Sequence, residues 1–287
     1  MTDTATTDTS APDTSTTRLA CVQLEIDGGT VEANLTRALE AIDEAAADGA
    51  DLIALPELFD VGYFAFETYE RAAVSLASER LERFADRARR HGVAILAGTV
   101  IEDLAASAAD GLDVPAESGL ANTAVLFDAT GTRRLVYRKH HLFGYGSAES
   151  ERLEPGERVD VADVAGFTVG VTTCYDLRFP ELYRRLLDAG ADLVLVPSAW
   201  PYPRVEHWQT LPRSRAIENL SYVAAINGSG TFESGDTLVG RTTVYDPWGT
   251  PIATCDDAPK TVTADLDPDR VAAVREEFPA LGDRRIE

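Results

Sequence analysis

Cysteine and histidine are scarce in this sequence of 287 residues. The three cysteines, Cys21, Cys174 and Cys255, are an odd number at wide spacing, and no CxxC motif occurs. A disulfide framework is therefore not expected, and a reducing cytoplasm is the expected location. The four histidines include no HxxxH pair, so neither a metal nor another cofactor is expected. The P-loop, GxGxxG and GxSxG motifs are missing too.

Long apolar runs are also missing. No run reaches the ~18 residues that a membrane span requires, so no membrane association is expected. The first 17 residues, rich in Thr, Asp, Ser and Ala, have neither the basic nor the apolar region of a secretory signal. Residues 1–17 are interpreted as a disordered tail, and residues 18–287 as a single domain.

Positive charge, and lysine above all, is the third scarcity. The chain has 48 acidic and 26 basic residues, a net charge of −22, and only two of the basic residues are lysines. A surface of this sign repels nucleic acid and anionic membranes. It suits a cytoplasm of high salt, where screening removes the repulsion between carboxylates. The alternative is an ordinary acidic protein from a GC-rich genome.

Strand-like and helix-like segments alternate along the chain, which predicts an α/β fold. One helix is expected over residues 67–91 and a surface loop over residues 103–119. Two segments echo each other: DGADLIALP (48–56) and AGADLVLVP (189–197) each combine a helix end, a buried strand and a terminating Pro. Glu57 and Ser198 follow these prolines, at the strand ends where α/β sheets bind ligands. For Ser198 an ordinary strand exit is the preferred interpretation.

Cys174 is the candidate nucleophile. It lies between a predicted strand, 167–173, and a helix expected to begin at Pro180. A strand-to-helix turn exposes a side chain and directs backbone N–H groups toward one point, as nucleophilic catalysis requires. An inert buried cysteine is the ordinary alternative, and it is preferred for Cys21, whereas Cys255 is assigned to a loop.

Lys139 and Glu57 are its candidate partners. Because arginine supplies nearly all the positive charge, a Lys at the end of LVYRKHHLF indicates a site that needs a compact ammonium. Chance placement is the alternative. Glu57 lies among apolar residues in LIALPELF, and burial there would raise its pKa and suit it to proton transfer. A partly exposed glutamate at a strand end is the alternative.

Together these residues predict the hydrolysis of an amide without histidine or metal. Glu57 would take the thiol proton, and Cys174 would attack the amide carbon. Lys139 and the backbone N–H of Tyr175 would stabilise the oxyanion. Glu57 would then protonate the leaving ammonia, and water would hydrolyse the thioester.

The segments LPELF, YRKHHLF, ESERLEPGE, CYDLRFPELYR, PSAWP, HW, RAIEN and DPWG occur in the order found in one family. The chain resembles the nitrilase superfamily of carbon–nitrogen hydrolases over residues 18–277. The resemblance implies a four-layer α-β-β-α sandwich and a Glu-Lys-Cys triad at Glu57, Lys139 and Cys174. It also implies a second active-site glutamate, Glu149, which orients the substrate or the lysine, and a homodimer or larger homo-oligomer.

Within that superfamily, CYDLRFPE is similar to the omega-amidase branch, which acts on small amides that bear a carboxylate. Arg178 follows Cys174 by four residues and is the candidate that would bind the carboxylate through its planar fork. A solvated or structural arginine is the alternative. Tyr63 and Trp200 are further candidates for substrate binding.

Three other functions stay open at this point. An amidase of deaminated glutathione shares CYDLRFPE, a catalytically silent binding protein could keep the fold, and a thiol redox sensor could use Cys174. Release of ammonia from an amide separates the hydrolases from the other two.

The charge leads to a prediction about salt. Self-repulsion among the carboxylates is less screened at low ionic strength, where the Debye length exceeds ~10 Å. Thermal unfolding followed from multimolar to 0.1 M KCl, over which the Debye length grows to ~10 Å, should therefore show a falling midpoint. A flat or rising midpoint would favour genome composition as the origin of the charge.

Overall fold

The computed structural model describes residues 16–285. The predicted tail, residues 1–17, lies almost entirely outside the described residues and stays a prediction. Twelve strands are formed within the described part of the chain: β1 Thr17–Gln23, β2 Leu52–Ala54, β3 Ala94–Asp103, β4 Leu120–Phe127, β5 Arg133–Arg138, β6 Val161–Val164, β7 Phe167–Val171, β8 Leu193–Ser198, β9 Tyr222–Asn227, β10 Thr243–Tyr245, β11 Pro251–Thr254 and β12 Lys260–Leu266.

Eight α-helices and three short 3₁₀ segments connect the strands between residues 16 and 285. The helices are α1 Val31–Ala47, α2 Tyr69–Ala72, α3 Glu79–His91, α4 Leu104–Ala109, α5 Glu149–Arg152, α6 Pro180–Asp188, α7 Val205–Asn219 and α8 Asp269–Glu277; the 3₁₀ segments are Phe66–Thr68, Cys174–Arg178 and Ala280–Asp283. Among these residues, no helix combines the length and the apolar character required to cross a bilayer.

The strands form two six-stranded sheets with the same internal plan. The first has the order β12-β1-β2-β3-β4-β5, and the second has the order β11-β10-β9-β8-β7-β6. In each sheet three consecutive central strands are parallel, β1-β2-β3 and β7-β8-β9, and the outer strands pair antiparallel. The echoed segments of the sequence are β2 and β8, which lie inside these parallel sets.

Helices cover the outer face of each sheet. The apolar stripes of α1 and α3 pack on the first sheet. On the second sheet, α6 lies against β7, where a Cβ on Gly170 would come within 2.8 Å of Leu186. Val169 and Val171 therefore point to the other face and meet Leu19 and Leu52 of the first sheet in a shared core. The layers are α-β-β-α, so the predicted fold is confirmed.

Two expectations about local structure are wrong. The single helix over 67–91 is broken between α2 and α3, because Ala73 is extended and Val74 exchanges hydrogen bonds with the backbone of Ile101 and Asp103 in β3. This competition from a neighbouring strand leaves no sign in the local periodicity. The loop over 103–119 contains the short helix α4, whose first turn is capped by the Asp103 carboxylate accepting the N–H of Ala106.

A bulge in β3 fixes the turn that follows β2. The pairing of β3 with β4 shifts register between Leu96 and Thr99, and Gly98 within the bulge has φ +50°. Thr99 donates its N–H to the carbonyl of Pro56, and its hydroxyl accepts the N–H of Leu58. Thr99 therefore binds Pro56 and Leu58, the residues on either side of Glu57 in the chain.

This contact gives a prediction about Gly98. In Gly98→Ala the new Cβ would lie 2.1 Å from the Pro56 oxygen, so the turn must move. Gly92→Ala is the matched control, because Gly92 has φ +67° but no atom near its Cβ position. Both variants should lose about 1–2 kcal/mol of unfolding free energy to left-handed strain. Gly98→Ala should lose more and also lose activity, as measured by urea unfolding and turnover. Equal losses with full activity in both variants would contradict this account.

Candidate active site

The Glu57 carboxylate is fully buried and accepts hydrogen bonds at both oxygens. Its Oε1 accepts from Lys139 Nζ and from Asn122 Nδ2, both at 2.8 Å. Its Oε2 accepts the backbone N–H of Ala199, also at 2.8 Å. Ala199 follows β8 as Glu57 follows β2, so the two echoed strand exits meet at this carboxylate.

Lys139 lies between two carboxylates at the end of β5. Its side chain is buried, and Nζ lies 2.8 Å from Glu57 Oε1 and 2.8 Å from Glu149 Oε1. The ammonium can donate to both carboxylates because its three N–H bonds diverge, which a planar guanidinium cannot copy in the same volume. One of the chain's two lysines thus lies where a compact ammonium fits between two carboxylates.

Four residues donate hydrogen bonds to the Glu149 carboxylate. Besides Lys139, its carboxylate accepts from Asn122 Nδ2 at 3.2 Å, the Tyr63 hydroxyl at 3.1 Å and the Phe143 N–H at 2.8 Å. Asn122 therefore bridges Glu57 and Glu149 from the side of β4. Its position in the apolar strand LANTAVLF was the available sequence signal, because a buried amide there must find polar partners.

Cys174 begins the 3₁₀ turn that follows β7. It has φ +48°, a conformation that costs a non-glycine residue energy and occurs often at functional sites. The Leu58 backbone, next to Glu57, has φ +44°. Asp176 caps the Cys174 turn, because its carboxylate accepts the Thr173 N–H and its own N–H donates to the Thr173 carbonyl. The N–H of Tyr175 lies in the first turn of this segment, where N–H groups lack a helical acceptor.

Asp176 ties the Cys174 turn to the Lys139 segment. Its buried carboxylate accepts the Tyr137 hydroxyl at 2.6 Å, the Thr173 N–H at 3.0 Å, and the N–H and Nδ1 of His141 at 3.0 and 2.7 Å. Tyr137 and His141 flank Lys139 by two residues on each side. Asp176 therefore fixes the distance between the ammonium and the thiol, a role that sequence reasoning missed.

Burial and charge set the resting ionisation of the group. Burial raises the pKa of the Glu57 carboxyl, and the Lys139 ammonium opposes this shift. Burial also raises the pKa of the Cys174 thiol, and the charge of Glu57 adds to it. Burial by itself lowers the pKa of the Lys139 ammonium. The negative charges of Glu149 and Glu57 outweigh this effect, so the pKa of Lys139 is raised. The thiol is thus protonated at rest beside a carboxylate suited to accept its proton.

A pocket of about 100 Å³ gives solvent access to the thiol. The predicted residues Tyr63, Lys139, Cys174, Tyr175, Arg178 and Trp200 all line it, and Glu57 and Glu149 lie behind it in contact with Lys139. The other lining residues are Phe64, Phe143, Tyr145, Gly146, Ser147, Ala199, Pro201, Arg204 and Asp236. A buried base, an ammonium and a cysteine at one pocket can perform acyl transfer through a thioester.

Arg178 lies at this pocket without an ion-pair partner in the described part of the chain. Its guanidinium packs over the rings of Trp200 and Tyr175, at 5.0 and 5.7 Å from their centroids. One N–H group lies 3.1 Å from Nδ1 of His207. Among residues 16–285, no three His, Cys, Asp or Glu side chains are arranged so that they could hold a metal ion.

The family model of carbon-nitrogen hydrolases matches residues 18–276. The chain belongs to this family. It is 35% identical over 282 residues to a 2-oxoglutaramate amidase of Paenarthrobacter nicotinovorans, covering 96% of this chain and 92% of the relative. It is 36% identical over 263 residues to a deaminated glutathione amidase of Synechocystis, covering 88% and 92%.

Solved structures of the same family are similar to this carbon–nitrogen hydrolase throughout. Nit3 of Saccharomyces cerevisiae, described as a member of branch 10 of the nitrilase superfamily, matches with TM-score 0.83 and 29% identity over 95% of this chain and 97% of that one. A Glu-to-Gln mutant amidase of Nesterenkonia sp., with the acetamide moiety of fluoroacetamide added covalently at its active-site cysteine, matches with TM-score 0.77 and 26% identity over 93% and 98%. The predicted family and the predicted amidase class are confirmed.

The two lysines of this carbon–nitrogen hydrolase allow a matched prediction. In Lys139→Arg the charge stays, but a larger planar group must fit a fully buried space between two carboxylates. Turnover should fall by ~100-fold or more, as for loss of an oxyanion donor. Lys260→Arg, at an exposed position of β12, should keep normal turnover. Near-normal turnover of a folded Lys139→Arg protein would mean that the ammonium is remote from the reacting atoms.

Proposed function

We propose that this carbon–nitrogen hydrolase is of the omega-amidase type. It hydrolyses a small amide that carries a carboxylate at its far end, and it releases ammonia through a thioester on Cys174. Glu57, Lys139 and Cys174 are the catalytic residues in this proposal, and Glu149 supports them.

The first half-reaction forms the thioester. Glu57 accepts the thiol proton while Sγ of Cys174 attacks the amide carbon, and the carbonyl oxygen gains the negative charge. The Lys139 ammonium and the N–H of Tyr175 stabilise that oxyanion. The C–N bond then breaks as Glu57 returns the proton to the departing nitrogen, which leaves as ammonia.

The second half-reaction returns the enzyme to its resting state. Glu57 takes a proton from water, and the oxygen attacks the thioester carbon. The C–S bond breaks, Cys174 recovers a proton, and the carboxylic acid leaves. Glu149 holds the Lys139 ammonium in place during both steps, because Nζ lies 2.8 and 3.0 Å from its two oxygens.

The observation that carries the substrate class is Arg178 at the same pocket as Cys174. A chain with net charge −22 repels anions at long range, so a carboxylated substrate needs a local cation. Arg178 supplies one whose charge is not neutralised by a described carboxylate. His207 Nδ1 engages one N–H group of the guanidinium, and the remaining N–H groups can pair with a carboxylate.

A second candidate is an amidase of the deaminated-glutathione type. The 36% identity to such a relative from Synechocystis favours it. A comparison of a glutamine analogue with a glutathione analogue as substrates separates the two candidates.

We also propose that the protein acts as a homodimer or larger homo-oligomer in a cytoplasm of high salt. Three large apolar side chains on the side of the second sheet, Ile217, Trp248 and Phe278, are exposed, and the Trp248 and Phe278 rings lie 6.0 Å apart. Exposed apolar groups at neighbouring positions are typical of interaction surfaces. Light scattering in high salt measures the mass directly, and a monomer would contradict this part of the proposal.

Arg178 provides the test of substrate choice. Charge-assisted hydrogen bonds contribute about 1.5–3 kcal/mol, so Arg178→Ala or Arg178→Lys should lower kcat/KM for carboxylated amides by ~10- to 150-fold. A neutral aliphatic amide should be almost unaffected, and it serves as the control in the same variant. Equal losses for both substrates would assign Arg178 to support of the loop and would remove the argument for a carboxylated substrate.

A further inference from the structure

One backbone group, the N–H of Ala199, lies beside both partners of the proposed proton transfer. It donates to Oε2 of Glu57 at 2.8 Å. Burial raises the pKa of the Cys174 thiol, and the same N–H group acts against this shift, so it also faces the sulfur. The negative charge that Glu57 loses on accepting the thiol proton appears on Cys174. A single N–H group at this point can therefore stabilise the anion both before and after the proton moves.

The peptide units on either side of Ala199 are held by Asn227 and Gly228. The Ser198 carbonyl accepts the Gly228 N–H at 3.2 Å. Because the C=O and N–H of a trans peptide point in opposite directions, this bond directs the Ala199 N–H away from β9. The Asn227 side chain binds the next residue twice, since its Oδ1 accepts the Trp200 N–H at 2.8 Å and its Nδ2 donates to the Trp200 carbonyl at 3.2 Å.

Asn227 is itself part of a buried polar network. It is the last residue of β9 and fully buried, and its Nδ2 also donates to the carbonyl of Gly240 at 3.0 Å. Its N–H donates to the hydroxyl of Thr242 at 3.1 Å, and the Thr242 N–H donates to the side-chain oxygen of Gln23 in β1 at 3.0 Å. A fully bonded network of this kind rigidifies what it holds. Both sheets thus contribute to fixing the chain that follows β8.

We propose that Asn227 is a positioning residue, which keeps the Ala199 N–H directed at Glu57 and Cys174 while the proton passes between them. This inference rests on the proposed function, in which these two residues are the base and the nucleophile. The side chain of Asn227 forms its hydrogen bonds with Trp200 and Gly240 rather than with either of them. Asn227 therefore acts through the backbone that it holds.

The direction of a pH shift separates this role from a purely structural one. A hydrogen-bond donor favours the ionised form of its acceptor, so loss of the Ala199 N–H would raise the pKa of the Glu57 carboxyl and of the Cys174 thiol. A looser structure that admits water would lower the pKa of both groups, because burial is what raises them. The two explanations predict shifts of opposite sign.

Two variants and a control provide the comparison. Asn227→Ala removes the side-chain bonds to Trp200, and Thr242→Val keeps the branched shape but removes the hydroxyl that accepts the Asn227 N–H. Asn219→Ala is the matched control, because Asn219 is also buried and its side chain also donates and accepts hydrogen bonds. It ends α7 about 20 Å, at 1.5 Å per residue, from the end of the helix that is near the pocket.

Each protein is measured in two ways over a wide range of pH. The first measurement is kcat/KM for ammonia release from pentanedioic acid monoamide, whose acid limb reports the base of the free enzyme. The second is the rate at which iodoacetamide alkylates Cys174, followed by peptide mass spectrometry, whose midpoint reports ionisation of the thiol. The second measurement needs no turnover.

In Asn227→Ala, the acid limb and the alkylation midpoint should both move to higher pH by about one pH unit, the size expected for loss of one hydrogen bond to a charged group. Thr242→Val should move both by a smaller amount in the same direction, and it decides the question if Asn227→Ala does not fold. Asn219→Ala should keep both at the wild-type values, even where its thermal unfolding midpoint falls.

Unchanged or lowered values in folded Asn227→Ala would overturn the inference, because Asn227 would then act on stability alone. The same shift in Asn219→Ala would overturn it as well. In either case, ammonia release by wild type would leave the proposed function in place. A wild type that releases ammonia from no amide would overturn the proposed function, and the alkylation midpoint would still decide the inference.

Discussion

The position of one ammonium between two buried carboxylates is the constraint on which the site depends. Removing three ionised groups from water is costly, and breaking such a pair leaves an uncompensated charge that costs about 3–5 kcal/mol. The protein meets this constraint with donors from β4, from Ala199 just after β8, from the segment after β5 and from Tyr63, so that no oxygen of Glu57 or Glu149 lacks a partner. Apolar packing would stabilise the same space more cheaply. Stability alone therefore does not explain the network, and its geometry supports the proposed proton transfer between Cys174 and Glu57.

The fold supplies this arrangement through its two similar sheets. Parallel strands at the centre of each sheet end at a shared edge, and sharp exits follow β2 and β8. Glu57 follows β2 and Ala199 follows β8, and the Ala199 N–H donates to Oε2 of Glu57 at 2.8 Å. The Gly98 bulge braces one exit, and Asp176 binds the Cys174 turn to the Lys139 segment. The groups proposed to react thus come from different elements of the fold. Hydrogen bonds to backbone N–H groups help to hold those elements together.

Much of this arrangement could be predicted from the sequence, because its signals are local. The strand exits, the turn at Cys174 and the rarity of lysine are all visible in short segments, and the order of the motifs indicated the layers. Contacts between distant segments have no such signal. The break before α3 depends on hydrogen bonds with β3, and the role of Asp176 depends on its contacts with Tyr137 and His141, which lie far from it in the chain.

The proposed mechanism depends above all on Cys174 carrying the acyl group as a thioester. The most direct measurement is mass spectrometry of the intact protein and its peptides after acid quenching during turnover of a carboxylated amide. The account predicts a transient gain equal to the substrate mass minus ammonia, located on the peptide that contains Cys174 and absent from Cys174→Ala. Steady ammonia release with no such adduct, or with the adduct on another residue, would contradict it.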